Sequence, residues 1–374
     1  MKRILIISFS NISRDPRVMR QIWVLTKEYK ITVAGFGSKP DANVDFFELH
    51  PPKLGLWKKI LWAGQLITRQ FEWHYWSKPH IQESLQLFSN QQFDVVLAND
   101  VSALPVALKI AKGYPVLVDA HEYTPKEFED SWRWRLFFER YSHYLCQRYL
   151  PLATSMTTVC QGIADEYHQE YGVQPSVIHN APLYQNLSPS TLRKNHIRLI
   201  HHGAAIRSRH IEVIIEMMHY LDERFTLDFM LVATDPIYLS KLQDKSKGDP
   251  RIRFIDPVPM PDICTRINEF DIGVYILPPI NFNHEHALPN KFFEFIQARL
   301  AIAIGPSPEM AALVKKYDCG LIAPSFDPAA LAKMLSGLNI EKINNYKNAS
   351  NHAAQCLNFD AEANILNREI SKLL

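Results

Sequence analysis

Apolar residues in this chain gather in short, nearly unbroken runs, separated by stretches in which they recur every three or four positions. Runs of the first kind read as strands of a parallel sheet covered on both faces, and stretches of the second kind as amphipathic helices. In the first half, strands are expected at 4–8, 31–34, 94–98, 116–119 and 156–159, with helices such as 17–28 and 103–111 between them. The alternation then restarts. Runs at 198–202, 226–232, 251–254, 272–275, 301–304 and 320–322 alternate with helical patterns at 211–221, 237–245, 290–298 and 310–316. Two consecutive series of this kind make an α/β protein of two Rossmann-like, doubly wound domains. Residues 181–195 are polar and hold Pro182, Ser188, Pro189 and Ser190, which suits a connection. The expected division is a first domain over 1–185, a linker over 186–195 and a second domain over 196–357. The tail, 360–374, reads as one more amphipathic helix.

One insertion breaks the alternation. Residues 53–79 mix lysines and arginines with Trp57, Trp62, Phe71, Trp73 and Trp76, and a second aromatic and basic stretch covers 132–149. Helices of this make-up can lie in a membrane interface, apolar face down and basic residues toward anionic lipid. The same aromatics could equally be core, packed on the first domain's sheet.

Bulk properties narrow the classes. At 374 residues the chain exceeds one small core, and 47% apolar against 21% charged residues describes a folded globular protein. A formal charge of +2 gives no global field for nucleic acid. Lys2 and Arg3 precede an apolar run too short for a secretory signal, with Asn11, Arg14, Asp15 and Arg17 close behind. No apolar run approaches the roughly eighteen residues of a membrane-spanning helix. The cysteines, at 146, 160, 264, 319 and 356, lie far apart in no metal or redox spacing, which fits a reducing cytosol.

In open α/β sheets ligands bind beyond the carboxyl ends of the strands, so polar residues there are the ones to weigh. Three groups stand out. Asp119-Ala120-His121-Glu122 follows a strand of the first series. His202-Gly203-Ala204, with Arg207 and Arg209 shortly after, follows the first strand of the second. Pro289-Asn290-Lys291 opens the helix that carries Glu294, and Gly305 closes the strand after it. Backbone N–H groups at Asn290 and Lys291 can hold phosphate oxygens, helped by the helix dipole and the lysine charge. Glu294, one turn on, can accept hydrogen bonds from ribose hydroxyls. Gly203 permits close backbone approach, and the two arginines offer charge-assisted donors to a diphosphate. Plainer readings stand beside these: His121 as a satisfied strand-end histidine, Arg207 and Arg209 as a solvated turn. His201 and His202 have no ligand spacing with a cysteine or carboxylate, so no metal site is expected. Ser8-Phe9-Ser10-Asn11 stands where a dinucleotide fold has its glycines, and no Gly-Lys-Ser/Thr loop occurs.

Taken in order along nearly the whole chain, these segments resemble the retaining GT-B glycosyltransferases of family four. Ser13-Arg14-Asp15-Pro16-Arg17-Val18 is similar to the "RDPRV" that opens the first helix in one branch. Asp119-Ala120-His121-Glu122 is similar to its "DxHE" segment, and Val177-Ile178-His179-Asn180-Ala181-Pro182 to the step before the second domain. His202-Gly203 with Arg209 and Glu212 resembles "HGxxxxxRGLE", and Leu288–Glu294 resembles "xPNKLFE". The resemblance implies two domains facing a cleft, with the final helix, 358–374, returning to the first. His121 would be the catalytic residue, reaching the donor sugar. Gly203, Arg207, Arg209, His286, Asn290, Lys291 and Glu294 would bind a nucleotide-diphosphate sugar, and Arg14, Asp15 and Glu122 would line the acceptor side. It implies no cofactor and no metal. The partners would be a nucleotide-sugar donor and a glycan or lipid-linked acceptor, with peripheral membrane contact through 53–79 and no nucleic acid. The place would be the cytoplasm, at the inner face of the membrane.

Two positions depart from that pattern. The residue eight before the ribose glutamate is His286, with Glu285 beside it, where many members have a glutamate. At the "RG" step His210 stands for glycine. These changes keep open a second reading, a non-catalytic binding or regulatory subunit. A third, an epimerase on the same fold, would draw on Asp100 and Glu122, whose spacing does not point to it.

Overall fold

The computed structural model describes residues 1–52 and 55–374. They form two compact units, one of residues 1–179, 281–283 and 363–374, the other of residues 180–280 and 284–362.

The first unit is built on a seven-stranded sheet. Its strands are β1 (Arg3–Asn11), β2 (Lys30–Phe36), β3 (Asp45–Glu48), β4 (Val95–Asn99), β5 (Val116–Ala120), β6 (Ser155–Thr158) and β7 (Ser176–Val177). Every pairing is parallel, in the order β3-β2-β1-β4-β5-β6-β7. Strand order therefore reverses between β1 and β4, and ligand crevices of doubly wound sheets open at such a point. Ile4, Ile6, Val33, Leu97 and Leu117 fill the core, joined by Leu366 and Ile370 from the end of the last helix, Phe359–Leu373. The strands β3 and β7 are additions to the sequence reading. Both lie at sheet edges; β3 holds only two phenylalanines between acidic residues, and β7 is two residues long. The first helix, Pro16–Leu25, starts where Asp15 accepts the N–H groups of Arg17 and Val18, with proline at its first position.

The 53–79 insertion is helical over Leu56–Ile67 and Phe71–Trp76; its first residues, Lys53 and Leu54, lie outside the described residues. Its aromatics divide. Phe71 and Tyr75 are buried, whereas Trp57 is 82% exposed. The core reading holds for Phe71 and not for Trp57 or Trp73, which is 56% exposed. No helix among the described residues is long and apolar enough to cross a membrane.

The second unit holds six parallel strands, β8 (Ile197–Ala204), β9 (Phe225–Val232), β10 (Ile252–Phe254), β11 (Ile272–Tyr275), β12 (Ala301–Ile304) and β13 (Gly320–Ile322). Their order is β10-β9-β8-β11-β12-β13, with its reversal between β8 and β11. Helices cover both faces, among them Glu212–Met218, Asn290–Gln297, Pro308–Tyr317 and Ile340–Ala354. Ser190, in the polar stretch before β8, is held within this unit: Lys347 Nζ donates to its hydroxyl at 2.8 Å and to the Phe270 carbonyl at 3.1 Å.

Candidate functional site

In the first unit the strand-end chemistry centres on Asp119, the penultimate residue of β5. Its carboxylate is fully enclosed and accepts from Arg17 Nε and a terminal Arg17 nitrogen, both at 2.6 Å, from Gln21 Nε2 at 2.6 Å and from Thr157 Oγ1 at 2.6 Å. The third guanidinium nitrogen donates to the Ile178 carbonyl at 2.7 Å. Burial by itself would raise the Asp119 pKa, but Arg17 and then His121 hold it far below the carboxylate range. A guanidinium fork on a fully satisfied carboxylate is a rigid support.

His121 stands on that support. Its Nε2 lies 3.1 Å from Asn99 Oδ1 and 3.5 Å from Asp119 Oδ2. Burial would lower its pKa, yet Asp100 and Asp119 outweigh that and raise it to about 9. Below that pH the ring is an imidazolium, a fixed cation and donor. The acceptor-side candidates fare differently. Asp15 is occupied as the cap of the first helix, Arg14 projects into solvent from the turn before it, and Glu122 is exposed. Arg17, buried and central, is the residue the motif reading passed over, because nothing local distinguishes it from the arginine three before it.

In the second unit the first strand and the Pro-Asn-Lys helix meet. Gly203, at the end of β8, has φ +120°, and a Cβ there would lie 3.2 Å from Lys291 Nζ. Lys291 reaches inward from the first turn of its helix and is 5% exposed. His201 donates through Nδ1 to the Val274 carbonyl at 2.9 Å, which leaves Nε2 to accept from Lys291 Nζ at 3.3 Å. The amine also lies 4.5 Å from the centre of the Tyr275 ring. Burial, and then the nearby Arg209 charge, press the Lys291 pKa well below that of a free lysine, with Glu294 acting weakly the other way. Burial and Lys291 press His201 downward as well. A buried amine met by a neutral imidazole and a ring, with a second cation close by, is a site short of negative charge.

Glu294 sits one turn along, almost buried, its Oε2 3.5 Å from His202 Nε2. His202 is held neutral, its pKa pressed to about 3 by burial and by Lys291. The helix starts after Pro289, which supplies no side-chain cap, while the Phe292 N–H donates to the Pro289 carbonyl at 3.0 Å. The structure thus brings Gly203, Arg209, Asn290, Lys291 and Glu294 together at the carboxyl end of the sheet. Arg207 is engaged elsewhere: its Nε donates to Asp235 Oδ2 at 2.7 Å. His286 Nδ1 lies 3.4 Å from Glu309 Oε1. His210 adopts the left-handed conformation, φ +48° and ψ +47°, that a glycine would take without cost. His201 is a further supporting residue that sequence reasoning weighed only as a metal ligand.

Two parallel α/β units, one with a seven-stranded and one with a six-stranded sheet, place this protein in the GT-B fold class. Comparison with known proteins agrees and goes one step further. Residues 44–181 match the model of the Glycosyltransferase Family 4 domain. Among solved structures, the sucrose-phosphate synthase (tll1590) of Thermosynechococcus elongatus superposes with a TM-score of 0.73 at 12% identity, covering 100% of this chain and 99% of that one. The Anabaena protein Alr3699/HepE, solved in complex with UDP-glucose, gives 0.72 at 15% identity over 100% of both chains. WaaG, a glycosyltransferase involved in lipopolysaccharide biosynthesis, gives 0.64 at 11% identity, covering 96% of this chain and 98% of that one. No curated protein matches the sequence.

Proposed function

We propose that this chain is a retaining glycosyltransferase. It would move a hexose-type sugar from a nucleotide-diphosphate sugar to a glycan or lipid-linked acceptor, in cell-surface polysaccharide or glycolipid synthesis in the cytoplasm. The observation that carries the reading is Lys291: a buried amine whose near contacts are the neutral His201 ring and the Tyr275 ring, with the Arg209 charge close by, at a helix start with no side-chain cap and Glu294 one turn away. A diphosphate supplies the missing charge. The Asn290 and Lys291 N–H groups and the Lys291 and Arg209 cations would stabilise it as it leaves, the role a metal plays elsewhere. Glu294 would accept the ribose hydroxyls. His121, as an imidazolium, would donate to the donor sugar. Retention would follow from front-face attack, the leaving phosphate taking the acceptor hydroxyl's proton, so no glycosidase-like carboxylate pair is assigned. The UDP-glucose complex of Alr3699/HepE supports the donor class. Titration calorimetry and product analysis against UDP-, GDP-, ADP- and dTDP-sugars test the reading. Binding with transfer or slow donor hydrolysis is expected, and neither with any donor would overturn it.

His210 and His286 favour one other reading, a non-catalytic subunit. Donor binding without transfer to any of a broad acceptor panel would decide for it.

Membrane contact completes the proposal. On the helix Leu56–Ile67, Leu56, Trp57, Ile60, Leu61 and Ile67 face outward, whereas Gln65 is 2% exposed and its amide has no hydrogen-bond partner among the described residues. The helix thus turns most of its large apolar side chains outward and buries Gln65 beside Leu66. Lys58 and Lys59 flank its apolar face, and the adjoining stretch adds exposed Trp132, Arg133, Arg135 and Leu136. Apolar insertion with basic flanks suits an anionic bilayer surface. Co-flotation with anionic vesicles is expected at low salt; its absence removes the claim.

A further inference from the structure

Strand β4 ends at Asn99, and the next residue breaks the backbone rules. Asp100 has φ +65° and ψ +156°, a region open to glycine and strained for a residue with a Cβ. Its surroundings fix the turn. The Asp100 N–H donates to the Asp119 carbonyl at 2.8 Å, and Oδ1 accepts from the His121 N–H at 2.9 Å. The other oxygen, Oδ2, lies 3.6 Å from His121 Nδ1.

The strained turn has a geometric result. In a continuing strand, consecutive side chains point to opposite faces, so Asn99 and Asp100 could not both reach one ring. Here they do. Asn99 lies opposite Asp119 in the sheet and meets His121 Nε2, while Asp100 faces Nδ1. Each ring nitrogen therefore points at an oxygen acceptor. A glycine would make the turn without strain, so what aspartate adds is its carboxylate.

We propose that Asp100 is a positioning residue: its left-handed turn aims its carboxylate at His121 and holds the ring as a fixed cation and donor rather than a proton-accepting base. The inference rests on the reading of His121 as the residue that meets the donor sugar. Every charged group around the ring enters the balance. Asp100 and Asp119 favour the imidazolium, and Arg17, from the first helix, opposes it. Glu127, itself raised to about 8 by burial and by the Glu122 and Asp100 charges, is tied to the same carboxylate.

The test compares full-length wild-type protein with Asp100→Ala and Asp100→Gly, reading the His121 imidazole titration by NMR and the melting temperature by calorimetry. In both variants the His121 pKa should fall by about one unit or more, a tenfold change in proton affinity. Asp100→Gly should melt above Asp100→Ala, because only glycine relieves the turn. A His121 titration unchanged in both variants would overturn the proposal. So would an alanine variant at least as stable as the glycine one, since the turn would then not be strained. Neither readout needs turnover. If His121→Ala left sugar transfer intact, the reading of His121 would fail separately, and the NMR comparison would still judge Asp100.

Discussion

At the scale of single residues, the two units use buried charge in opposite ways. Asp119 is a charge already answered, and breaking that answer is costly. Arg17→Ala leaves an uncompensated carboxylate in a closed space and should destabilise the first unit by about 3–5 kcal/mol in urea unfolding. His121 adds a pH dependence. Its pKa stands near 9 in the folded protein against an ordinary 6.5, so the imidazolium binds its proton more tightly when folded. The stabilisation is complete below about 6.5 and is lost as pH climbs through 9. Unfolding measured across that window should show the loss in wild type and not in His121→Gln. Lys291 is the reverse, a charge awaiting its partner. Glu294 beside it should matter to nucleotide more than to the fold. Glu294→Ala should weaken nucleotide-diphosphate binding by about 1–3 kcal/mol in titration calorimetry. Unchanged affinity would remove its ribose role.

At the scale of elements, the strands inside each sheet were legible because burial on both faces forces unbroken apolar runs. Strands 272–275 and 301–304 stand in the structure where the pattern places them. Edge strands carry a weaker demand: β10 and β13 still show apolar residues, whereas β3, two phenylalanines between acids, and the two-residue β7 escaped. The helix Leu56–Ile67 shows the limit from the other side. Its amphipathic pattern was plain, but which face turns inward was not, since Gln65 and Trp57 hold the reverse of their usual places. Trp57→Glu with Ile60→Glu should abolish vesicle binding. The melting temperature should barely change, because exposed substitutions commonly fall within about 0.5 kcal/mol. A large loss of stability would mean that this face packs against protein.

At the scale of the whole molecule, each compact unit has its own sheet and core, so calorimetry should resolve separate contributions to unfolding. The last helix gives the sharper expectation. Leu366 and Ile370 are fully buried in the first unit's core, and deleting 363–374 leaves their space empty. The first unit should then melt earlier, with the second unit's contribution unmoved.

The sequence by itself determined the alternation, the restart after the polar stretch, and the Pro-Asn-Lys entry with Glu294 one turn behind. These depend on periodicity and on neighbours within a helical turn, which residue order contains. Only the tertiary structure decided the partners. Arg17 and Asp119 are 102 positions apart, and Lys291 and His201 are 90 apart. Sheet register and helix placement bring them into contact, and no local preference encodes either pairing. The turn at Asp100 belongs to the same class: a strained φ is held by the contacts around it, and those contacts exist only once the strands have paired.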